Sequence, residues 1–304
     1  MISFIENKNI DRGKWDELIN RSINGNIFAY TWFLDLTTQH WDALIEDDYR
    51  AAFPIPWSKK YSVCYIHQPL FSNQLGVFSG GDISENKVHD FLKSIPAHFQ
   101  YIEFGLNFQN KVSADNYYIT THKVQYVDLN KNYDALKNNY DENLRRNLRK
   151  AGNAGLIVRP DVPAEDVTNY FRRGRGNELG HYSDEDYNTL TQLIETSISK
   201  NAGFTLGAYY KNNSLVAAAS FLLSHDRIIF LKGAPSAEGR EVGAMHFIFD
   251  YVIKTNAEKN LVLDFGGSVI QNLARFYKSF GADEYLYPHV KRNRLPFYLR
   301  WLKK

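Results

Sequence analysis

The sequence predicts a mixed α/β protein built as two lobes, each a mixed sheet flanked by helices. Three observations predict it. The apolar residues change period along the chain, recurring every three or four positions in some stretches and clustering in short β-branched and aromatic runs in others. Three strand candidates follow one another at 204–232 with only the polar turns KNNS and SHDR between them. That is a meander, unlike the strand, helix, strand rhythm of a dinucleotide-binding domain. Between the two sets lies DLNKNYDALKNNYDEN, a polar stretch with the composition of a linker. A chain of 304 residues with 44% hydrophobic and 15% aromatic side chains can bury two cores of ordinary size, which argues against a disordered tail, a coiled-coil rod or a fibre.

The first lobe is expected over residues 1–130 and the second over 131–304. Residues 11–21 form a helix because Trp15, Leu18 and Ile19 make an i, i+3, i+4 stripe, and TWFLDLTTQ supplies a second helix. WDALIEDDYRAAFPIPW reads as a hairpin, with strands at 43–45 and 49–53 and a polar turn at Asp47 and Asp48. Pro54 and Pro56 cannot donate to a ladder, so they mark an edge or the end of that second strand. Further strands are expected at 62–66, 75–78, 101–104 and 117–121. A helix at 84–94, capped by Ser84, turns Val88, Phe91 and Leu92 inward.

The second lobe opens with a helix at 142–151 that ends near Gly152 or Gly155. Arg145, Arg146, Arg149 and Lys150 occupy its successive turns, and the basic face reads either as solvated surface or as a surface for an anionic substrate. A strand at 156–159 and helices at 164–172 and 184–200 follow. Ser183 caps the last of these ahead of DED, Leu190, Leu193, Ile194 and Ile198 form its stripe, and Asn201 with Gly203 stops it. After the meander at 204–210, 215–223 and 228–232 come a helix at 237–255, a strand at 261–265, a helix at 270–280 and a strand at 284–290. No convincing internal sequence repeat is visible.

Thirty-six Lys and Arg against 34 Asp and Glu give a net charge of +2, which argues against indiscriminate wrapping by nucleic acid but leaves room for a local anion-binding surface. The single cysteine, Cys64, rules out an internal disulfide and, with its apolar neighbours in SVCYI, reads as a buried structural thiol. The start MISFIENKNIDRGKW lacks the basic and apolar regions of a secretory signal, and charges interrupt every later apolar stretch before spanning length. Cytoplasmic residence is therefore expected, with peripheral membrane contact left open. The histidines are dispersed and no HExxH occurs, so no catalytic metal is expected.

Three stretches carry a family resemblance. FLKGAPSAEGREVGAMHFIFD places a polar glycine-containing loop between a strand and a long helix, NLARFYKSFGA has an Asn, Ala, Tyr, Gly pattern, and FPIPW, QPLFSNQLGVFS, YDENLRRNLRKA, APSAEGREVGAMH, LDFGGS and RFYKSFGADEYLY follow in that order. The first two resemble the GNAT acyltransferase fold; the whole series, over residues 25–295, resembles the FemAB-like transferases, which hold two such lobes in tandem. The resemblance implies transfer of an acyl or aminoacyl group to an amine of a cell-envelope precursor or related metabolite. A small-molecule N-acyltransferase dependent on acyl-coenzyme A and a non-catalytic binding protein are the alternatives.

The resemblance also implies residue roles. Arg240, Gly243 and Ala244, with Asn272, would bind the donor, although Met245 stands where the GNAT loop has a small residue and Glu238 carries a negative charge into the helix start. Tyr277 would protonate the leaving group. No permanently bound cofactor is implied; acyl-coenzyme A or aminoacyl-tRNA would be the donor substrate. An anionic small molecule or peptidoglycan precursor would be the acceptor partner, and tRNA a further one. QPLFSNQLGVFSGG contains no phosphate cradle, so one composite site is expected, and the absence of a long heptad-patterned arm leaves the tRNA donor open.

From the residues themselves, Asp264 near the end of the apolar strand in LVLDFGG reads as a base or as a strand-end cap, with Ser268 beside it offering a hydroxyl. His181, in the glycine-flanked RRGRGNELGHYSDED, reads as a proton-transfer group or an ordinary loop histidine. Arg172, Arg173 and Arg175 could receive an anionic acceptor or pair with Glu178, Asp184, Glu185 and Asp186; Arg145 and Arg149 are the corresponding candidates on the basic helix.

Overall fold

The computed structural model describes residues 1–60, 62–113, 116–267, 271–297 and 299–300. Two compact units divide the chain: Met1–Lys123 with Tyr285–Lys304, and Val124–Glu284. Chain order in the first is β1 (Ile2–Ile5), α1 (Arg12–Arg21), α2 (Thr31–Thr37), β2 (His40–Glu46), β3 (Ala51–Lys60), β4 (Val63–His67), β5 (Phe78–Ser79), α3 (Glu85–Lys93) and β6 (Phe99–Gly105). Strand β7 (Tyr118–Asp128) carries the chain into the second unit. There it forms α4 (Tyr133–Asn138), α5 (Glu142–Asn153), β8 (Ile157–Pro160), α6 (Ala164–Phe171), α7 (Asn177–Leu179), α8 (Asp184–Ser199), β9 (Gly203–Tyr209), β10 (Leu215–Ser224) and β11 (Arg227–Pro235). Next come α9 (Ala237–Glu241), α10 (Ala244–Asn256), β12 (Val262–Asp264) and α11 (Gln271–Lys278), and β13 (Asp283–Asn293) returns the chain to the first unit.

In the first unit the helices form where apolar stripes and caps coincide. Asp11 accepts the Lys14 N–H to start α1, whose Trp15, Leu18 and Ile19 are buried; the Trp15 indole donates to the Ala29 carbonyl at 2.8 Å. Ser84 accepts the Lys87 N–H at α3, and Val88, Phe91 and Leu92 enter the core with Ile66, Ile102, Phe104 and Val290. Strand β3 runs straight through the prolines. Its far side pairs with β5 at Ala51 and Ala52 and with β4 from Trp57, so that among the described residues Phe53–Pro56 is laddered only to β2, and the prolines occupy that one-sided stretch. Cys64 is half-buried rather than buried.

Both units repeat one topology that the sequence does not advertise. Four antiparallel strands are followed by a helical crossover, a fifth strand parallel to the fourth, and a sixth antiparallel to the fifth. In the first unit these are β1, β2, β3 and β4, then α3, β6 and β13; in the second they are β8, β9, β10 and β11, then α9 with α10, β12 and β7. The sixth strand of the first unit is therefore remote in sequence from its other five, and that of the second unit precedes its other five. The expected single boundary at 130/131 is replaced by two crossings, because Val290 of β13 pairs with Phe104 and is fully buried in the first unit's core.

The second core gathers Phe221, Phe249, Phe265, Tyr277 and Phe280 between α10, α11 and the sheet. Burying each such ring stabilises the fold by about 2 to 3 kcal/mol. Helix α4 forms inside the expected linker, capped by Asn132 with only Leu136 buried. The single helix expected at 237–255 is two helices, broken at Gly243, whose φ is +74°. Among the described residues no helix is long and apolar enough to cross a membrane.

Candidate functional site

A cleft of about 660 Å³ opens in the second unit between the segment after α6 and the loop joining β11 to α9. Tyr170, Arg173, Asn177 and Glu178 line one wall; Pro235, Ser236, Arg240 and Glu241 line the other. The first wall is irregular for a reason legible in RRGRG. Arg172–Gly176 is a π-helical turn kinked at Gly174 (φ −97°, ψ −108°), and a Cβ there would lie 3.1 Å from that of Ala234. The second wall is held by Ser236, whose Oγ accepts the Gly239 N–H at 3.0 Å and starts the short α9.

The arginines of this region divide by partner. Arg172 pairs with Asp184 at 2.5 Å and lies over the Tyr187 ring. Arg175 donates to Glu178 at 2.6 Å, and Arg240 reaches the other Glu178 oxygen at 3.5 Å. The Arg175 hydrogen bond chiefly, with both arginine charges, holds the Glu178 carboxyl below the usual carboxylate range. Arg173 has no hydrogen bond or ion pair among the described residues, so the cleft carries one guanidinium free to meet a ligand and a second, Arg240, held by a long and exposed contact.

The donor residues expected at 240–244 do not share one surface. Arg240 lines the cleft. Gly243 instead lies under α5, where a Cβ would stand 2.9 Å from the Asn147 carbonyl oxygen, and Ala244 is fully buried. Lys150 closes the same contact by donating to the Glu241 carbonyl at 3.5 Å. Asn272 is exposed on α11.

Tyr277 is 2% exposed and stacks on Phe265 with centroids 4.5 Å apart; its hydroxyl makes no hydrogen bond among the described residues. Burial pushes this phenol well above its ordinary range, with the Asp264 charge adding to the effect and the Arg175 charge opposing it. Asp264 is 4% exposed and both its oxygens are engaged, one by Arg227 at 3.1 Å and the other by the Gly266 N–H at 2.7 Å. Its geometry is that of the strand-end cap. His181 is exposed, with Nδ1 3.2 Å from the Leu179 carbonyl, and does not line the cleft. Neither do Arg145, which donates to the Asn138 carbonyl, and Arg149, which pairs with Glu142. Ser268 lies outside the described residues.

Sequence reasoning passed over Lys232. It sits on β11 three residues before Pro235, where β11 bulges opposite Ser220 and Phe221, with its ammonium 5.6 Å from the Phe171 ring centroid. Burial pushes it down to about 8. The available signal was a lone charge inside the apolar run IIFLKGAP. Among the described residues no three His, Cys, Asp or Glu side chains are grouped to hold a metal ion.

No protein-family model and no curated protein matches this sequence. Solved structures do match over nearly the whole chain. FemX superposes with a TM-score of 0.70 at 12% identity, covering 99% of both chains. L-PGS from Bacillus licheniformis gives 0.56 at 12% identity over 96% of this chain and 94% of its own. A tandem GNAT protein from the clavulanic acid biosynthesis pathway, solved without AcCoA, gives 0.53 at 10% identity over 97% and 99%. These likenesses show the fold: a mixed α/β chain of two GNAT-like lobes in tandem.

Proposed function

We propose that this protein is an acyltransferase that moves an aminoacyl group to the amine of an anionic acceptor, such as a cell-envelope precursor, with the cleft beside α9 as its anion-binding site. The observation that carries the reading is the pairing of a free Arg173 with a weakly held Arg240 across a cleft at the β11–α9 loop of a GNAT-like lobe. Two guanidinium groups facing one concavity bind phosphate or carboxylate with defined geometry.

Transfer requires a neutral amine, a polarised acyl carbonyl and a proton for the leaving oxygen or sulfur. Lys232, pushed down to about 8 by burial, has a neutral fraction at physiological pH; it stands on β11 three residues before the cleft-lining Pro235, outside the lining itself, and is the group assigned to take the acceptor's proton. Tyr277 supplies the leaving-group proton. A phenol pushed upward by burial matches a ribose alkoxide better than a thiolate, which needs little protonation. That match, together with α5 lying against Gly243 where phosphate would approach the bare glycine, favours aminoacyl-tRNA over acyl-coenzyme A as donor.

A transfer assay tests this, presenting labelled aminoacyl-tRNA and labelled acyl-coenzyme A in parallel to a panel of amines with and without phosphate or carboxylate groups. Transfer from aminoacyl-tRNA to the anionic amines is expected. Transfer from acyl-coenzyme A alone would establish the small-molecule N-acyltransferase instead, and no transfer from either donor would leave a binding protein.

A further inference from the structure

We infer that residues 293–304, NRLPFYLRWLKK, are a docking surface for a bilayer rich in anionic phospholipid, borne by the first unit and separate from the cleft of the second. The stretch holds four cations, Arg294, Arg300, Lys303 and Lys304, with six apolar or aromatic side chains and no acid. The chain as a whole balances 36 cations against 34 acids, so the imbalance is local. Cations interleaved with Phe, Trp and Leu make the composition that lies in a membrane interface: rings and leucines enter the acyl boundary while the cations meet lipid phosphates.

The fold fastens this stretch at its start and turns it outward. Strand β13 ends at Asn293, yet the Arg294 N–H still donates to the Gln100 carbonyl at 2.7 Å, and the Asn293 side chain accepts the Leu295 N–H at 3.1 Å, which keeps Leu295 buried. Pro296 has no N–H with which to continue the pairing. A turn follows, in which the Leu299 N–H donates to the Pro296 carbonyl at 2.8 Å and Arg300 Nε to the Leu295 carbonyl at 2.9 Å. Phe297, inside that turn, is 84% exposed, and Arg294 and Arg300, on either side of it in sequence, are exposed as well. One exposed ring is ordinary on any protein surface. A ring held out by a hydrogen-bonded turn between two exposed guanidinium groups matches an interface, with the ring below the headgroups and the arginines among the phosphates. A nucleic acid would answer the cations and could stack on the rings, but it would leave the leucines in water; a bilayer takes all three.

The test is co-sedimentation of the full chain, carrying Arg173→Ala and Arg240→Ala so that the cleft cannot contribute, with vesicles of about 30% phosphatidylglycerol in phosphatidylcholine and with vesicles of phosphatidylcholine alone. Binding to the anionic vesicles is expected, at least about tenfold weaker on the neutral ones and falling as salt is raised. Lys303→Gln with Lys304→Gln should weaken it by about 20-fold, since each cation near such a surface contributes about fivefold. Phe297→Ser removes a ring that already stands in water, so the fold is not at stake, and it should weaken binding by about fivefold. No co-sedimentation, equal binding to both vesicles, or Phe297→Ser binding within about twofold of the parent would each overturn the inference. A gel shift with tRNA runs in parallel: a shift that the double lysine variant abolishes, with vesicles unbound, would make the stretch a nucleic-acid surface instead. Failure on vesicles would leave the cleft untouched, because its own test is acyl transfer in solution.

Discussion

Two basic segments of the second unit, α5 and the kinked turn after α6, look alike in sequence and differ in structure. YDENLRRNLRKA presents four cations in six residues, and nearly all of them are answered locally: Arg145 by the Asn138 carbonyl, Arg146 by Asn143, Arg149 by Glu142. RRGRG presents three in four residues, and the break in helical geometry at Gly174 divides their fates, so that Arg172 and Arg175 find carboxylates while Arg173 is left facing a cleft. Along the regular helix these cations reach an amide or an acid one or two turns back, or a carbonyl just ahead of the helix start. The irregular turn removes one cation from that spacing. Local charge density therefore says little about where an anion binds; a cation without a local partner beside a concavity says more.

The strongest test of this contrast removes the cleft cations. Arg173→Ala with Arg240→Ala should lower kcat/KM for an anionic acceptor by about 300-fold and flatten its dependence on salt, with folding unchanged by circular dichroism. Retained activity with a retained salt slope would move the anion site elsewhere. Tyr277→Phe keeps the ring on Phe265 and deletes the proton, so single-turnover transfer should fall by about 30-fold while donor dissociation hardly changes. Equal chemical rates would make Tyr277 a packing residue of the core, and a defect confined to donor affinity would make it a pocket wall.

Lys232 gives a prediction with a sign. In the folded chain it loses its proton near pH 8, whereas the unfolded chain keeps it to about the ordinary 10.5, so between those values the unfolded state binds more protons and folding stability rises with pH. Denaturant midpoints across that window should show an increment in the parent that Lys232→Met lacks. The transfer rate should likewise rise with pH to a plateau above about 8, and the variant should lose about tenfold of rate together with that limb. Smaller effects come from the local carboxylate and the basic helix. Glu178→Gln releases Arg240 and should tighten an anionic acceptor by about threefold in a binding titration. Arg145→Gln with Arg149→Gln should change capture by less than about twofold; a larger loss would place α5 in the binding surface and erase the contrast.

The sequence exposed those parts of the fold in which local and tertiary preferences agree. The stripes at Trp15, Leu18 and Ile19 and at Val88, Phe91 and Leu92 point inward as their spacing requires, and Ser84 and Ser183 cap the helices that follow them. The meander at 203–235 is visible because its turns are polar and its strands are not. Helix α4 was hidden because one buried leucine in six residues makes no periodic signal. The break at Gly243 was hidden because apolar spacing continues across it. At the site, Arg173 and Arg240 were visible as chemistry and not as neighbours, since they meet only through the kink at Gly174 and the turn at Ser236. Lys232 escaped because a strand's exposed and buried faces cannot be assigned across a bulge that pairing alone creates.

The exchange of sixth strands fixes an order of assembly during synthesis. The six strands of the second unit all lie within residues 118–264, so its sheet can close as soon as that stretch has left the ribosome. The first unit must wait with β6 unpaired on one side until β13, made after every strand of the second unit, brings Val290 against Phe104. The first unit is thus completed after the second, reversing the usual N-terminal-first sequence of domain folding. During that interval one edge of Phe99–Gly105 is unpaired, a strand edge open to aberrant pairing.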